Sequence, residues 1–400
     1  YDKESGELVL HNYMDFDNLK DYVKISYELT QDGLLIGKGK LDEVSVVPHS
    51  EGKTNLQVNV PENGKCYLKL TYHLKKEMPL LEEDYILGFD EIEVSQKDAK
   101  CQLAEKWVEK TVTDSELQVS EDDTQIHIKG REFAYTIDRR TALFTEMKFA
   151  GREYLNHPME LNIWRAPTDN DMYIKSEWKK AHYDKAYTRA YTTEVVQGKH
   201  GVKITSHASV VAETVQKILD VTITWKIEAA GKIDADIAVT KDDEFPDLPR
   251  FGVRMFLDKK LSAARYFGMG PQESYCDKHQ AASHGLYQAN VDDLHEDYIR
   301  PQENGSHYDC EYVELNNSRY GIVVSAENAF SFNASYYTQE ELEKKTHNYE
   351  LTESDSVVFC VDYALNGIGS NSCGPVVLEQ YRFDDVLFRF QFTLIPYVKG

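Results

Sequence analysis

The sequence of 400 residues predicts an all-β protein built mostly from antiparallel strands. Apolar and polar residues alternate in several runs, of which the clearest are 23–29, 68–74, 221–227 and 388–394. A period of two is that of a strand with one buried face and one solvated face. Helical periodicity is rare, and the candidates are 338–345, which opens with the capping sequence TQEE, and 175–180.

Residues 1–97 contain six or seven short strand patterns, and turn sequences such as 31–33 (QDG) and 61–64 (PENG) separate them. That number of strands in a segment of this length is typical of an immunoglobulin-like β-sandwich. A polar stretch, 95–100 (SQKDAK), follows this segment. We therefore expect a first domain at 1–97 and a boundary in the polar stretch.

Residues 101–400 continue the strand pattern without a second clear break. This length is too great for one ordinary β-sandwich. The sequence therefore predicts a second domain at 101–400 with two large antiparallel sheets and long loops between the strands.

The composition excludes several classes of partner. There are 45 Lys and Arg residues against 68 Asp and Glu, so the net charge is −23. An acidic surface repels nucleic acid and anionic lipid, but it is compatible with a neutral sugar. No stretch approaches the ~18 apolar residues of a membrane span, and no signal peptide is visible.

The cysteine pattern favours a reduced, cytoplasmic protein. None of the six cysteines, at positions 66, 101, 276, 310, 360 and 373, belongs to a CxxC pair. This is neither a disulfide framework nor a zinc-ligand pattern. Because the chain begins with Tyr1 rather than Met, we expect it to be a fragment or a processed chain.

The stretch 164–171, WRAPTDND, is a candidate functional loop. The proline has a fixed φ and disfavours a helical conformation of the alanine before it. The Asp and Asn side chains readily accept hydrogen bonds from nearby backbone amides. One interpretation is a rigid loop with Trp164 packed and Arg165 paired to an aspartate. The other is a ligand contact through Asp169, Asn170 and Asp171. A catalytic carboxylate pair or a metal site is poorly supported, because such sites draw ligands from more than one element or at wider spacing.

Two further stretches combine turns with carboxylates. The stretch 267–275, FGMGPQESY, has a G-x-G start but then a proline and no helix, so it is not a dinucleotide fingerprint. We expect a tight turn that brings Glu273 and Tyr275 to a surface. The stretch 298–305, YIRPQENG, contains Glu303 and Asn304 in a turn. His307 follows, and we expect it in a surface hydrogen-bond network.

The stretch 366–375, NGIGSNSCGP, is rich in glycine and small polar residues. Long flexible loops of this type hold ligands or close over them. Cys373 has no histidine near it in sequence, so nucleophilic catalysis is weakly supported and a loop thiol is the simpler interpretation. The sequence also lacks a G-x-S-x-G elbow, a P-loop and an HExxH motif.

These stretches occur in one order, and a fifth motif, 330–347, lies between the last two. Together they resemble the C-terminal part of β-galactosidases of glycoside hydrolase family 2, and 12–16 (NYMDF) is similar to the start of the domain before it. The resemblance covers essentially the whole chain. It implies an immunoglobulin-like domain followed by the large β-supersandwich of β-galactosidase small chains, which is similar in fold to galactose mutarotases.

The resemblance also implies how the chemistry is divided. Such enzymes hydrolyse terminal β-D-galactosides, for example lactose, with retention. Both catalytic glutamates and the Mg2+ site, with Na+ as a possible second ion, lie on a (β/α)8 barrel, and this chain has no βα alternation. We therefore expect no catalytic residue, metal or cofactor here and no activity of this part alone. The expected partners are the barrel portion, in the same chain or a separate subunit, the β-galactoside, and further copies in a homo-oligomer.

The resemblance assigns roles to named residues. It implies that Asn371, Ser372 and Cys373 belong to a loop at the rim of the barrel's active site. The best-known members have a tryptophan there that stacks on the sugar, and Cys373 occupies the matching position, so the aromatic platform is missing. The remaining candidates are expected to face the barrel or to support loops: Arg165, Asp169, Asn170, Asp171, Glu273, Glu303 and Asn304.

Two other functions stay open at this point. The first is a stand-alone sugar epimerase of mutarotase type, which needs a carboxylate base and a histidine acid facing one sugar ring. Its candidates by residue type are Glu273, Glu303, His307 and His347. The second is a carbohydrate-binding or assembly module without any role in an active site.

Overall fold

A computed structural model describes residues 1–108 and 117–399 and confirms the all-β class. Strands make up 50% of the structure and helices 9%, so strand pairing determines the architecture. The chain divides into two compact units. The first unit is Tyr1–Leu103 with His284–Leu286, and the second unit is Ala104–Ser283 with Tyr287–Gly400.

The first unit has six strands and one short helix in two antiparallel sheets. A two-stranded sheet has the order β1-β4, and a four-stranded sheet has the order β3-β2-β5-β6. The two sheets share one apolar core, to which alternate residues of β1, β2 and β5 contribute. The assignment as immunoglobulin-like stays a prediction. The elements are β1 (Glu7–Asn12), α1 (Leu19–Tyr22), β2 (Val23–Gln31), β3 (Leu34–Lys40), β4 (Ser50–Asn55), β5 (Cys66–Leu74) and β6 (Ile86–Glu93).

The second unit begins with a short helix and a five-stranded antiparallel sheet of order β11-β10-β9-β8-β7. This sheet packs into the same core as the larger sheet described next. Its elements are α2 (Glu105–Val108), β7 (Gln118–Glu121), β8 (Gln125–Lys129), β9 (Phe133–Asp138), β10 (Leu143–Phe149) and β11 (Arg152–Glu153).

A twelve-stranded sheet forms the rest of the second unit. Its main path is β12-β17-β22-β21-β23-β16-β15-β14-β13, and β18, β19 and β20 extend from β21. The two end strands lie near each other, so the sheet is nearly closed. The strands are β12 (Leu155–Asn162), β13 (Tyr187–Gln197), β14 (Gly201–Val211), β15 (Leu219–Glu228), β16 (Ile233–Lys241), β17 (Arg250–Asp258), β18 (Ala263–Gly270), β19 (Ser283–Asn290), β20 (Ser306–Asn316), β21 (Tyr320–Ser335), β22 (Ser356–Leu365) and β23 (Leu387–Val398).

The predicted local elements are confirmed. The four alternating runs fall in β2, β5, β15 and β23. The two predicted helices are α3 (Ile174–Lys180) and α4 (Gln339–Lys344), and the Thr338 side chain caps α4 by accepting a hydrogen bond from the Glu341 amide. In the described part of the chain, no helix is long and apolar enough to cross a membrane.

Candidate functional site

Three of the polar stretches, 164–171, 298–305 and 366–375, meet the segment 277–280 at one cleft in the second unit. The cleft has a volume of about 420 Å3, and its walls come from loops that are far apart in sequence. Because strand ends gather these loops at one place, the site is fixed by the fold rather than by a local motif. The cleft is lined by Thr168, Asp169, Asn170, Asp277, Lys278, Gln280, Tyr298, Gln302, Glu303, Ile368 and Gly369.

A buried ion pair organises the 164–171 loop, which follows β12. Arg165 is fully buried, and its Nη2 and Nε lie 2.6 and 3.1 Å from the two carboxylate oxygens of Asp171. The same carboxylate accepts a hydrogen bond from the Thr168 amide at 2.9 Å. Trp164 is 3% exposed. The predicted rigid loop, with a packed tryptophan and a paired arginine, is confirmed.

The 164–171 loop also holds the base of the 366–375 loop. Arg165 donates hydrogen bonds to the carbonyls of Asn366 and Gly367, and Asn170 Nδ2 donates to the Ile368 carbonyl at 2.6 Å. From the other side, the carboxylate of Asp277 accepts the amides of Ile368 at 3.0 Å and Gly369 at 2.8 Å. The first four residues of the 366–375 loop are therefore clamped between two other loops.

Beyond this clamp lie the residues expected at a rim. Asn371 and Ser372 are partly exposed, Cys373 is exposed, and Asn371 adopts a left-handed φ of 97°, which asparagine tolerates better than most residues. The loop thus presents its small polar residues from a fixed base.

Glu303 is held inside the second unit by a second buried arginine. Its Oε1 lies 2.9 Å from Arg250 Nη1, and Arg250 also bonds both carboxylate oxygens of Asp362 at 3.1 and 2.5 Å. Burial raises the pKa of the Glu303 carboxyl, and the nearby arginines oppose that rise. The Glu303 amide donates to the Ala166 carbonyl at 3.0 Å, which joins the 298–305 stretch to the 164–171 loop.

The expectation that Glu273 and Tyr275 reach a surface is wrong. The Glu273 side chain is 6% exposed and accepts hydrogen bonds from Lys278, Tyr298 and the Gly305 amide, the last at 2.8 Å. Tyr275 is 2% exposed. The Ser274 amide bonds the Ser306 carbonyl at 2.7 Å, and this contact draws the turn after β18 against β20.

The expectation of a surface hydrogen-bond network around His307 is also wrong. His307 is 1% exposed and packs against Tyr266 and Phe332, with ring centroids 4.4 and 5.1 Å away. Its Nδ1 lies 3.3 Å from the Met269 carbonyl, and burial lowers its pKa to about 4. The cause is its register: His307 is opposite Phe332 in the β20–β21 ladder, so its ring enters the core.

The turn residue Asn304 has a structural role. It is 5% exposed, its Oδ1 accepts the Glu296 amide at 3.0 Å, and its Nδ2 donates to the Gln302 carbonyl at 2.9 Å. Asn and Asp side chains commonly fix turns in this way. Asn304 therefore shapes the 298–305 turn behind the cleft.

The three acids that line the cleft have different environments. Of its acids, Glu303 is ion-paired, Asp277 holds two backbone amides, and Asp169 is exposed. In residues 1–108 and 117–399, no group of three or more His, Cys, Asp or Glu side chains has metal-binding geometry.

Sequence reasoning missed two important groups. Asp277 clamps the 366–375 loop, and the only signal for it was an aspartate just after the 267–275 turn, a type of residue that often accepts backbone amides. Nothing in the sequence indicated that Arg250 pairs with Asp362, because the two residues lie 112 positions apart in different strands.

Two sequence families match the chain in succession. The family described as Beta-galactosidase, domain 4 matches residues 8–95, and the family described as Beta galactosidase small chain matches residues 129–394. The second match covers most of the chain.

Curated relatives match along nearly the whole chain. The beta-galactosidase of Actinobacillus pleuropneumoniae is 42% identical over 392 residues, which are 98% of this chain and 38% of that protein. The beta-galactosidase of Staphylococcus xylosus is 30% identical over 398 residues, which are 98% of this chain and 39% of that protein. The chain therefore spans less than half the length of these relatives.

Among solved structures, the galactose 1-epimerase of Lactobacillus acidophilus NCFM covers 72% of this chain and is itself covered completely. Its sequence identity is 8% and its TM-score is 0.39.

Proposed function

The chain belongs to the β-galactosidase small-chain family, and we propose that it forms the non-catalytic C-terminal part of a β-galactosidase. In this proposal the intact enzyme hydrolyses terminal β-D-galactosides, such as lactose, with retention through a covalent galactosyl intermediate. The relatives support it, because the match leaves more than half of each relative for a catalytic portion. A homo-oligomeric intact enzyme and a cytoplasmic location, in keeping with six cysteine thiols, are parts of the same proposal.

The observation that carries the proposal is the clamped base of the 366–375 loop. Arg165, Asn170 and Asp277 fix residues 366–369, and the following residues extend from that base. A loop that contributes to an active site built elsewhere needs such a rigid support. We infer that Asn371, Ser372 and Cys373 contact the sugar beyond galactose, and that the cleft faces the catalytic portion.

The environments of the acids in the cleft agree with the proposal that the catalytic carboxylates lie outside this chain. A retaining mechanism needs one carboxylate as nucleophile and another as acid and base, about 5–5.5 Å apart. The acids of the cleft are ion-paired, bonded to backbone or exposed. In the proposal, both catalytic carboxylates and any Mg2+ or Na+ site therefore belong to the missing portion.

A complementation experiment tests the proposal. The part of the Actinobacillus pleuropneumoniae enzyme that precedes the matching region is expressed with this chain, either as a second chain or as a chimera. We expect each part alone to be inactive toward o-nitrophenyl β-D-galactoside and the combination to hydrolyse it. Hydrolysis by the purified chain alone would overturn the proposed division. A chimera that folds and oligomerises without activity would also count against it.

The structure gives no support to a mutarotase site built from the four candidates. Glu303 and Glu273 are buried in separate hydrogen-bond networks, and His307 is enclosed by aromatic rings. His347 is about half exposed and lies beside Glu350. A base and an acid that face one sugar are therefore not assembled from these residues.

A further inference from the structure

A second pocket lies in the second unit and shares no lining residue with the cleft. It has a volume of about 300 Å3, and the neighbouring strands β20, β21 and β22 and the segment 380–385 before β23 supply its walls. Two hydrogen bonds hold that segment in place. The Gly367 amide donates to the Tyr381 carbonyl at 2.8 Å, and the Phe383 amide donates to Asn366 Oδ1 at 2.9 Å. Strand pairing and these two bonds therefore fix the shape of the pocket.

Aromatic rings make up much of the wall. Phe330 and Phe383 are each 2% exposed, and Tyr308 and Tyr363 are partly exposed. Tyr363 is held by stacking on Phe388, with ring centroids 4.8 Å apart and an interplanar angle of 17°. Rings that are fixed in this way offer an apolar surface to the C–H groups of a ligand.

Polar groups lie among these rings. In the part of the chain that the structure describes, nothing hydrogen-bonds to the hydroxyls of Tyr308, Ser331 or Tyr363. Burial raises the pKa of Tyr308 to about 12 and also raises the pKa of Tyr363, so both phenols stay protonated at neutral pH and can donate as well as accept. Arg382 Nε donates to the Val377 carbonyl at 2.9 Å, which orients the guanidinium and leaves its terminal nitrogens for a ligand.

The charges around the pocket narrow the class of ligand. The carboxylates of Asp309 and Asp385 outnumber the guanidinium of Arg382, so an anion is repelled. A quaternary ammonium ion suits an aromatic wall, but it provides neither donors nor acceptors for the hydroxyls and the guanidinium. A neutral polyol provides both, and a sugar ring adds an apolar face of C–H groups. Ligand pockets commonly measure ~300–1,000 Å3, so this pocket admits a single ring rather than an oligosaccharide.

We propose that this pocket binds one neutral monosaccharide. The sugar ring packs against Tyr308 and Tyr363, and its hydroxyls bond Ser331, Arg382 and Asp385. No histidine is among the described residues that line the pocket, so it lacks the acid that a mutarotase needs, and its role is binding. The inference goes beyond the proposed function, because it concerns a separate pocket of this chain and holds whatever reaction the intact protein catalyses.

The test titrates the purified chain with D-galactose and with D-glucose and follows binding by saturation-transfer NMR. Asp385→Ala removes a carboxylate of the pocket, and Asp384→Ala, which changes the neighbouring exposed aspartate outside the pocket, is the matched control. Tyr363→Phe removes one hydroxyl and keeps the ring, which gives a second variant if Asp385→Ala alters folding. Asp169→Asn shows whether the sugar binds in the cleft instead. Choline and acetate are the cationic and anionic probes.

We expect at least one of the two sugars to bind with a Kd of the order of 1–10 mM, since a small polar ligand makes few contacts. Asp385→Ala and Tyr363→Phe should each raise that Kd by about fivefold or more, the loss expected for one hydrogen bond, and Asp384→Ala and Asp169→Asn by less than about twofold.

The absence of saturation transfer from the parent chain to either sugar at about 50 mM would overturn the proposal. Unchanged affinity in both pocket variants would place the sugar elsewhere, and so would loss of binding in Asp169→Asn. Tighter binding of choline or acetate than of either sugar would show that the assigned class of ligand is wrong.

Discussion

Arg165 and Asp171 form a two-point ion pair inside the second unit, with both side chains almost fully buried. Asp171 lies six positions after Arg165, and the turn at Pro167 brings its carboxylate back to the guanidinium. The pair also helps to hold the 366–375 loop in place, because Arg165 donates a hydrogen bond to the Gly367 carbonyl at the base of that loop. Asp169, two residues from Asp171, is exposed, so the two aspartates of this stretch have different environments.

Replacing Asp171 with asparagine should destabilise the second unit. The variant keeps the shape of the side chain but leaves a buried guanidinium without its counter-ion, which typically costs about 3–5 kcal/mol. Chemical denaturation followed by tryptophan fluorescence measures the free energy of unfolding. Asp169→Asn is the matched control, and we expect it to change that free energy by less than about 0.5 kcal/mol. Equal losses in the two variants would contradict the assigned role of the ion pair.

Strands and helices were predictable because they depend on local pattern. The alternation of Val221, Ile223, Trp225 and Ile227 predicts a buried face, and all four residues lie in the core. Thr338 caps the helix that the capping sequence at 338–341 predicted. The pairing of Arg165 with an aspartate was also predictable, since only a short turn separates the partners.

The exposure of turn residues was not predictable from local sequence. Glu273 and His307 both follow turn signals, yet both are buried, because long-range pairing of β18, β20 and β21 draws them inward. The same limit applies to Arg250 and Asp362, whose pairing depends on the β17–β22 register. Contacts that depend on sheet register can be predicted only when the pairing of all the strands is known, and a short stretch of sequence does not provide that information.

Buried His307 should make the second unit sensitive to acid. Its pKa is about 4 in the folded protein and near 6.5 when unfolded, so the unfolded state takes up the proton first as pH falls. Stability is therefore lost between about pH 6.5 and pH 4, by about 3 kcal/mol for this one group.

His307→Phe isolates this effect, because phenylalanine fills the aromatic site but does not titrate. The free energy of unfolding of the parent minus that of the variant should fall by about 3 kcal/mol between pH 7 and pH 4. Urea unfolding at a series of pH values measures it. A difference that stays constant over this range would show that His307 does not titrate as its burial requires.

Cys373 should be the single fast-reacting thiol of the native chain. It is exposed, whereas Cys66, Cys310 and Cys360 are buried, and burial raises the pKa of Cys276 to about 12. Cys101 is half-buried and hydrogen-bonded to Asp32. Titration with a disulfide reagent at neutral pH should show one fast equivalent, which Cys373→Ser removes. All six thiols should react after denaturation, and a second fast equivalent in the native serine variant would contradict the assignment.

Cys373→Trp tests the rim role in the catalytically complete chimera. If residues 371–373 contact the sugar beyond galactose, an indole there offers an apolar face to a glucose ring, worth about 1 kcal/mol or roughly fivefold in affinity. Transfer of galactose to added glucose, relative to hydrolysis, should therefore reach half its maximum at a lower glucose concentration. Cys373→Ser is the matched control and should behave like the parent. Identical acceptor profiles for the tryptophan and serine variants, in chimeras of equal stability, would place this loop away from the sugar.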